Sequence, residues 1–260
     1  MSDIKKKLAA LTPEKRAQLA KQLQQKASRN SLPALARRPE GTGPLPLSFA
    51  QQRLWFLDQL QPGTATYNMP SVLQLDGRLD VPSLERAFSE LVRRHESLRT
   101  VFRDEGGTPV QVIQPPAPFP LPVVDISGHE APAAEALRLT NEELSRPFNL
   151  ATGPMLRATL LKLSDTRHVL VLAMHHIVSD GWSMGVLVRE MAALYRAFSV
   201  GQPSPLPELP LQYPDVALWQ RSWLQGEALE NQLAWWREHL KGAPQALELP
   251  TDFARPPLQT

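Results

Sequence analysis

Two apolar strand segments, Met155 to Leu163 and His168 to Met174, meet across the short polar turn Ser164-Asp165-Thr166. Soon after them Leu187, Met191, Leu194 and Phe198 recur at helical spacing. A chain that sets a strand pair beside a helical stripe must pack sheet against helix. The rest of the chain repeats the mixture. Ser48 and Gln51 have capping-box spacing and open a helix through Leu60. Ser71 to Leu75 reads as a strand, and Leu84, Ala87, Phe88, Leu91, Val92 and His95 as an amphipathic helix. Leu98 to Asp104 and Pro109 to Gln114 flank a Gly106-Gly107 turn, which predicts a hairpin. A strand at Leu121 to Ile126 and a helix over about Pro132 to Ser145 follow, and two helical segments holding Trp219, Trp223, Leu229, Leu233, Trp236 and Leu240 come late. The fold class is α/β (α+β), with hairpins as well as crossovers.

The 260 residues, 42% of them hydrophobic, suffice for one large domain with appendages. Thr12-Pro13-Glu14 is a helix start, but its stripe of Leu19, Leu23 and Ala27 is thin. Residues 1–29 hold eight Lys or Arg against Asp3 and Glu14, a balance of +6 in a chain whose net charge is only +2. This basic arm suits either a solvated helix face or contact with an acidic partner. It has no aromatic residue to stack on bases, so nucleic acid is not expected. Residues 30–46 read as a linker, 47–200 as the main body, and 201–260 as a Pro-rich connector with two helical segments. The absence of cysteine excludes disulfide scaffolds and thiol nucleophiles. With neither a signal-like stretch nor an apolar run of spanning length, a cytoplasmic chain away from membranes is expected.

The chemistry concentrates in His175-His176-Ile177-Val178-Ser179-Asp180-Gly181, at the end of the second apolar strand. Adjacent strand residues face opposite sides, so one imidazole can enter a cleft while the other packs inside. A neutral imidazole is suited to taking a proton from a nucleophile near pH 7. Asp180-Gly181 favours a sharp turn. No nucleophilic Ser or Cys elbow accompanies the histidines, which points to acyl transfer without a covalent enzyme intermediate. On these seven residues alone two other readings stand beside catalysis: paired structural histidines, or His-x-x-x-Asp as two metal ligands. The remaining histidines, His95, His129, His168 and His239, are scattered, and no metal site is expected.

The segment resembles the His-His-x-x-x-Asp-Gly motif of nonribosomal peptide synthetase condensation domains, and further matches follow in that family's order. Leu47-Ser48-Phe49-Ala50-Gln51-Gln52-Arg53-Leu54-Trp55-Phe56, then Tyr67-Asn68-Met69-Pro70, is similar to the first motif. Arg94-His95-Glu96-Ser97-Leu98-Arg99-Thr100-Val101-Phe102 is similar to the second, and Tyr213-Pro214-Asp215-Val216-Ala217-Leu218-Trp219-Gln220-Arg221 to the fourth. Val216 stands where the family often has an aromatic residue.

The resemblance implies a chloramphenicol-acetyltransferase-like lobe with mixed sheet and flanking helices, and a second lobe only begun. It implies peptide-bond formation between a donor acyl thioester and an acceptor aminoacyl thioester. Both would arrive on the phosphopantetheine arms of upstream and downstream carrier proteins, with no cofactor bound by the domain itself. His176 would be the active-site histidine, and the Gly181 amide would face the developing oxyanion. His175 and Asp180 would be structural, with Asp180 paired to Arg53. Arg99, Tyr213, Trp219 and Arg221 would support the motifs. An adenylation domain is expected downstream, and residues 1–29 would either help dock an upstream synthetase or act simply as a linker helix. Trp182-Ser183-Met184 and His175 resemble condensation domains more than epimerising and heterocyclising relatives, and Met174 to Ser183 with Arg94 to Thr100 look most like the L-donor/L-acceptor subtype. The alternatives are a non-catalytic carrier-binding or recruitment fragment, or a related HxxxD acyltransferase.

Overall fold

The computed structural model describes Thr12, residues 32–39, 41, 43–244 and 250–254. The basic arm, apart from Thr12, lies outside the described residues. Two compact units are present, one reaching Arg221 and one starting at Ser222. Among the described residues no helix is long and apolar enough to cross a membrane.

The first unit is built on two sheets. The smaller has the order β1-β4-β3, with β1 at Leu45–Pro46, β3 at Thr100–Glu105 and β4 at Thr108–Ile113. The hairpin turns at Gly106 and Gly107, whose φ angles of 65° and 87° favour glycine. The larger sheet has the order β2-β7-β6-β5, with β2 at Asn68–Asp76, β5 at Val123–Asp125, β6 at Leu156–Ser164 and β7 at Arg167–His175. In this sheet β5 pairs with β6 in parallel, while β2–β7 and β6–β7 pair antiparallel.

Three helices sandwich the larger sheet. On one face lie α2 (Val81–Arg94) and α4 (Gly181–Phe198), separated in sequence by α3 (Pro132–Ser145) on the other face. Leu84, Phe88 and Leu91 from α2 and Leu187, Met191, Leu194 and Phe198 from α4 share a core with Leu156, Leu160, Leu170, Leu172 and Met174. Phe88 stacks on Phe119 with ring centroids 5.0 Å apart. On the opposite face Leu161 and Val171 join Ile126 and Ala136 beneath α3. β7 is therefore apolar on both sides because both sides are covered. Fully burying each large aliphatic side chain here contributes about 1.5–3 kcal/mol.

Helix α1 (Phe49–Leu60) opens with the expected capping box: Ser48 Oγ accepts from the Gln51 amide while the Gln51 side chain accepts from the Ser48 amide. α5 (Tyr213–Trp223) follows the proline-rich connector. Within the second unit, α6 (Gly226–His239) has no buried residue. Its Trp235 and Trp236 meet edge-on at 4.8 Å, and His239 stacks on Trp235 at 4.6 Å.

One boundary needs correction. The linker expected over residues 30–46 is structured at its end, where Leu45 is only 2% exposed and pairs with Gln111 on β4. A two-residue strand lacks enough alternation to announce itself, and its partner lies far along the chain.

Candidate active site

Strand β7 ends on His175, and the next residues turn back tightly: the Val178 amide donates to the His175 carbonyl at 3.1 Å. Ile177, 3% exposed, anchors this turn in a small cluster with Leu47, Leu54, Phe102, Leu150 and Met155. The two histidines consequently part. His175 is 4% exposed, with Phe148 edge-on at 5.9 Å. Its Nδ1 accepts from the Ile177 amide at 3.1 Å, which places its ring proton on Nε2. Burial, and next the neighbouring His176, push its pKa down to about 4.

His176 is exposed and lines a cleft of about 480 Å³ with Gln51, Arg53, Leu54, Tyr67, Asp180 and Tyr213. Its backbone N–H donates to the Tyr67 carbonyl at 2.9 Å. Its Nδ1 lies 2.6 Å from the Ser179 carbonyl oxygen. A carbonyl only accepts, so Nδ1 carries the proton and Nε2 of the neutral ring keeps a lone pair. The loop thus sets the tautomer.

The expected ion pair between Asp180 and Arg53 is not formed. Both side chains line the cleft, but Asp180 caps α4: its Oδ1 accepts from the Ser183 amide at 2.8 Å and from the Ser183 hydroxyl at 2.5 Å. These bonds hold its carboxyl below the usual range. Arg53 is exposed. A carboxylate at the start of a helix finds amide donors within its own turn, which a distant, solvated guanidinium does not displace. Accordingly, Asp180→Ala is expected to lower stability by about 0.5–2 kcal/mol, while Arg53→Ala stays within about 0.5 kcal/mol. Urea unfolding of both variants decides this, and equal large losses would reinstate the ion pair.

Gly181 is the exposed first residue of α4, where a Cβ would meet nothing within 4 Å. As the first helical residue, its N–H has no intrahelical acceptor. Tyr213 lies in the cleft wall, and its hydroxyl meets Ser48 Oγ at 3.0 Å. Arg221 donates to the Leu47 carbonyl at 2.8 Å and sits 4.0 Å over the Phe49 ring, while the Trp219 indole donates to the Pro33 carbonyl. Both fasten α5 rather than face the cleft. Arg99 is also outside it, donating to the Gln114 carbonyl beside another cavity. Among the described residues, no group of three or more His, Asp or Glu side chains gathers as metal ligands.

A second cavity of about 240 Å³ lies against the same loop, sharing Val178, Ser179, Ser183 and Tyr213 with the cleft. Leu98, Met174, Leu187 and Leu211 make much of its wall. Sequence reasoning did not identify it, since its lining comes from separated elements. Nor did it assign the roles of the Tyr67 and Ser179 carbonyls, because backbone acceptors leave no side-chain signature.

The family profile described as Condensation domain matches residues 42–260. Chondramide synthase cmdD of Chondromyces crocatus is 51% identical over 218 residues, covering 83% of this chain and 6% of that protein. Phosphinothricin tripeptide synthetase PhsC of Streptomyces viridochromogenes is 45% identical, covering 100% of this chain and 24% of that protein. Among solved structures, the X-domain from teicoplanin biosynthesis superposes with a TM-score of 0.73 at 36% identity, over 86% of this chain and 49% of that one. The first condensation domain of the CDA synthetase gives a TM-score of 0.70 at 30% identity, over 81% and 53% of the two chains. The chain thus spans about half the length of these solved chains and a small part of the synthetases.

Proposed function

Because the chain belongs to the condensation-domain family of nonribosomal peptide synthetases, we propose that it supplies the active-site histidine for peptide-bond formation between two carrier-bound thioesters. The supporting fold is the chloramphenicol-acetyltransferase-like one of its solved relatives. The observation that carries the reading is the tautomer of His176: its Nδ1–H is committed to the Ser179 carbonyl, leaving Nε2 as acceptor beside the cleft.

The acceptor amine donates a hydrogen bond to Nε2 and attacks the donor thioester carbonyl. The C–N bond forms, the amine proton passes to Nε2, and the C–S bond breaks. The proton then returns to the departing phosphopantetheine thiolate, leaving the lengthened chain on the acceptor carrier. The Gly181 amide faces the developing oxyanion. His175, held neutral by burial, and Asp180, capping α4, keep the loop in shape. The two cavities meeting at the loop suit two substrates arriving separately.

Our reading retains the L-donor/L-acceptor subtype, a cytoplasmic setting, substrates delivered by upstream and downstream carrier proteins, and an adenylation domain downstream. Residues 1–29 are proposed as the contact with an upstream synthetase. Deleting them is expected to weaken that association and reduce its salt dependence, measured by titrating the upstream protein at low and raised salt. Unchanged affinity at both salts would leave the arm a linker.

The teicoplanin X-domain, seen in complex with OxyB, keeps recruitment as the second reading. Loading both carriers of the intact synthetase and following the acceptor by mass spectrometry separates the two. Product on the acceptor carrier supports condensation, and carrier binding without transfer supports recruitment.

A further inference from the structure

Asp215, in the first turn of α5, has a side chain that is 0% exposed. Its Oδ2 accepts from the Gln212 amide at 2.8 Å. Its Oδ1 accepts from the Arg38 guanidinium at 2.8 Å and from the Arg38 backbone N–H at 3.3 Å. The other arm of the guanidinium donates to Glu96 Oε2 at 2.7 Å. Arg38 comes from the segment that composition marks as a linker, yet its side chain is only 14% exposed. Burial alone would raise the Asp215 carboxyl, but the Gln212 amide and Arg38 together hold it below its usual range. Arg38 is its salt-bridge partner among the described residues.

The network extends towards the loop cavities. Glu96 donates its amide to Gln212 Oε1 at 3.1 Å, and Gln212 Nε2 donates to the Arg94 carbonyl at 2.9 Å. Tyr213 stands between Gln212 and Asp215 in the chain and lines both cavities beside the motif loop. A planar guanidinium can serve two carboxylates at once from one position, which an ammonium does not reproduce.

We propose that Arg38 is a positioning residue: by bridging Asp215 and Glu96 it fixes Tyr213 as the wall shared by the two cavities. Its functional meaning rests on reading those cavities as substrate sites. Arg38 lies ahead of residue 42, where the family match begins, so a domain cut at that boundary would leave Asp215 buried without its cation.

The test uses the full chain labelled with 3-fluorotyrosine. Its three tyrosines give three ¹⁹F resonances, and Tyr213→Phe identifies one of them. Arg38→Met is expected to shift or broaden the Tyr213 resonance while those of Tyr67 and Tyr195 stay in place. It is also expected to lower the melting temperature by roughly 6–15 °C. Adding Asp215→Asn removes the unpaired charge and recovers most of that loss. Arg38→Lys does not restore the wild-type Tyr213 resonance. In the intact synthetase, Arg38→Met combined with Asp215→Asn raises KM for the carrier-bound substrates by roughly tenfold with kcat little changed.

An unmoved Tyr213 resonance in Arg38→Met overturns the proposal. So does a double variant no more stable than Arg38→Met, including one that fails to fold. A wild-type synthetase that makes no peptide bond overturns the proposed function instead, and leaves the resonance and melting results to judge Arg38.

Discussion

Replacing His176 with alanine in the intact synthetase is expected to lower condensation turnover by about 10²–10⁴-fold, the usual contribution of a positioned acid–base group. Affinity for both carrier proteins should change little. The backbone N–H of residue 176 still donates to the Tyr67 carbonyl in the variant, and Ile177 still anchors the turn, so the loop keeps its seat. What disappears is Nε2. Near-normal turnover of loaded thioesters would remove His176 from the chemistry and make its orientation incidental. Loss of carrier binding together with turnover would make it a structural residue.

His175 is expected to make the fold acid-sensitive. Its folded-state pKa is about 4, whereas a free imidazole in the unfolded chain titrates near 6.5. Between those values the unfolded chain binds a proton that the folded chain refuses. The contribution is therefore complete above about pH 6.5 and is lost as the pH falls towards 4, amounting to roughly 3 kcal/mol. His175→Asn retains an acceptor for the Ile177 amide and removes the titration. Melting temperatures from pH 7.5 to 4.5 should fall more steeply in the wild type than in this variant. Carboxylates such as Asp180 act in both proteins and cancel from the comparison. Parallel curves would show that His175 is not the acid-sensitive group.

Legibility in the sequence followed how local each determinant was. The helix at Pro132–Ser145 was readable to its ends because proline at its start and apolar spacing within it act locally. The capping box of α1 was readable for the same reason. Strand alternation leads one to expect the parting of His175 and His176, and the turn that begins as β7 ends on His175 produces it. Strand β2 exceeds the expected Ser71 to Leu75, running from Asn68 to Asp76, because its polar ends are held by pairing with β7 and by Asn68 bonding the Leu144 and Arg146 carbonyls. Asp180 illustrates a different failure. Arg53 as its partner comes from the family resemblance, whereas Ser183, at the spacing of a helix-capping bond, stands three residues on in the sequence. The nearer donor geometry prevailed. Arg38 was missed because prolines around it suggested a chain with nothing to hold.

Strand β7 also dictates when the site comes into being. β6 and β7 are joined by a short turn and can pair as soon as both exist. β2 must return across a far longer stretch of chain, and its pairing of Asn68 with His175 brings the Tyr67 carbonyl to His176. Closing that longer loop costs more entropy and is repaid only by the long-range contacts it creates. In a chain emerging amino end first, β2 therefore waits, unpaired on that edge, until β7 has been made. The histidine acquires its Tyr67 bond only when the sheet closes, so the reactive geometry is a late product of folding.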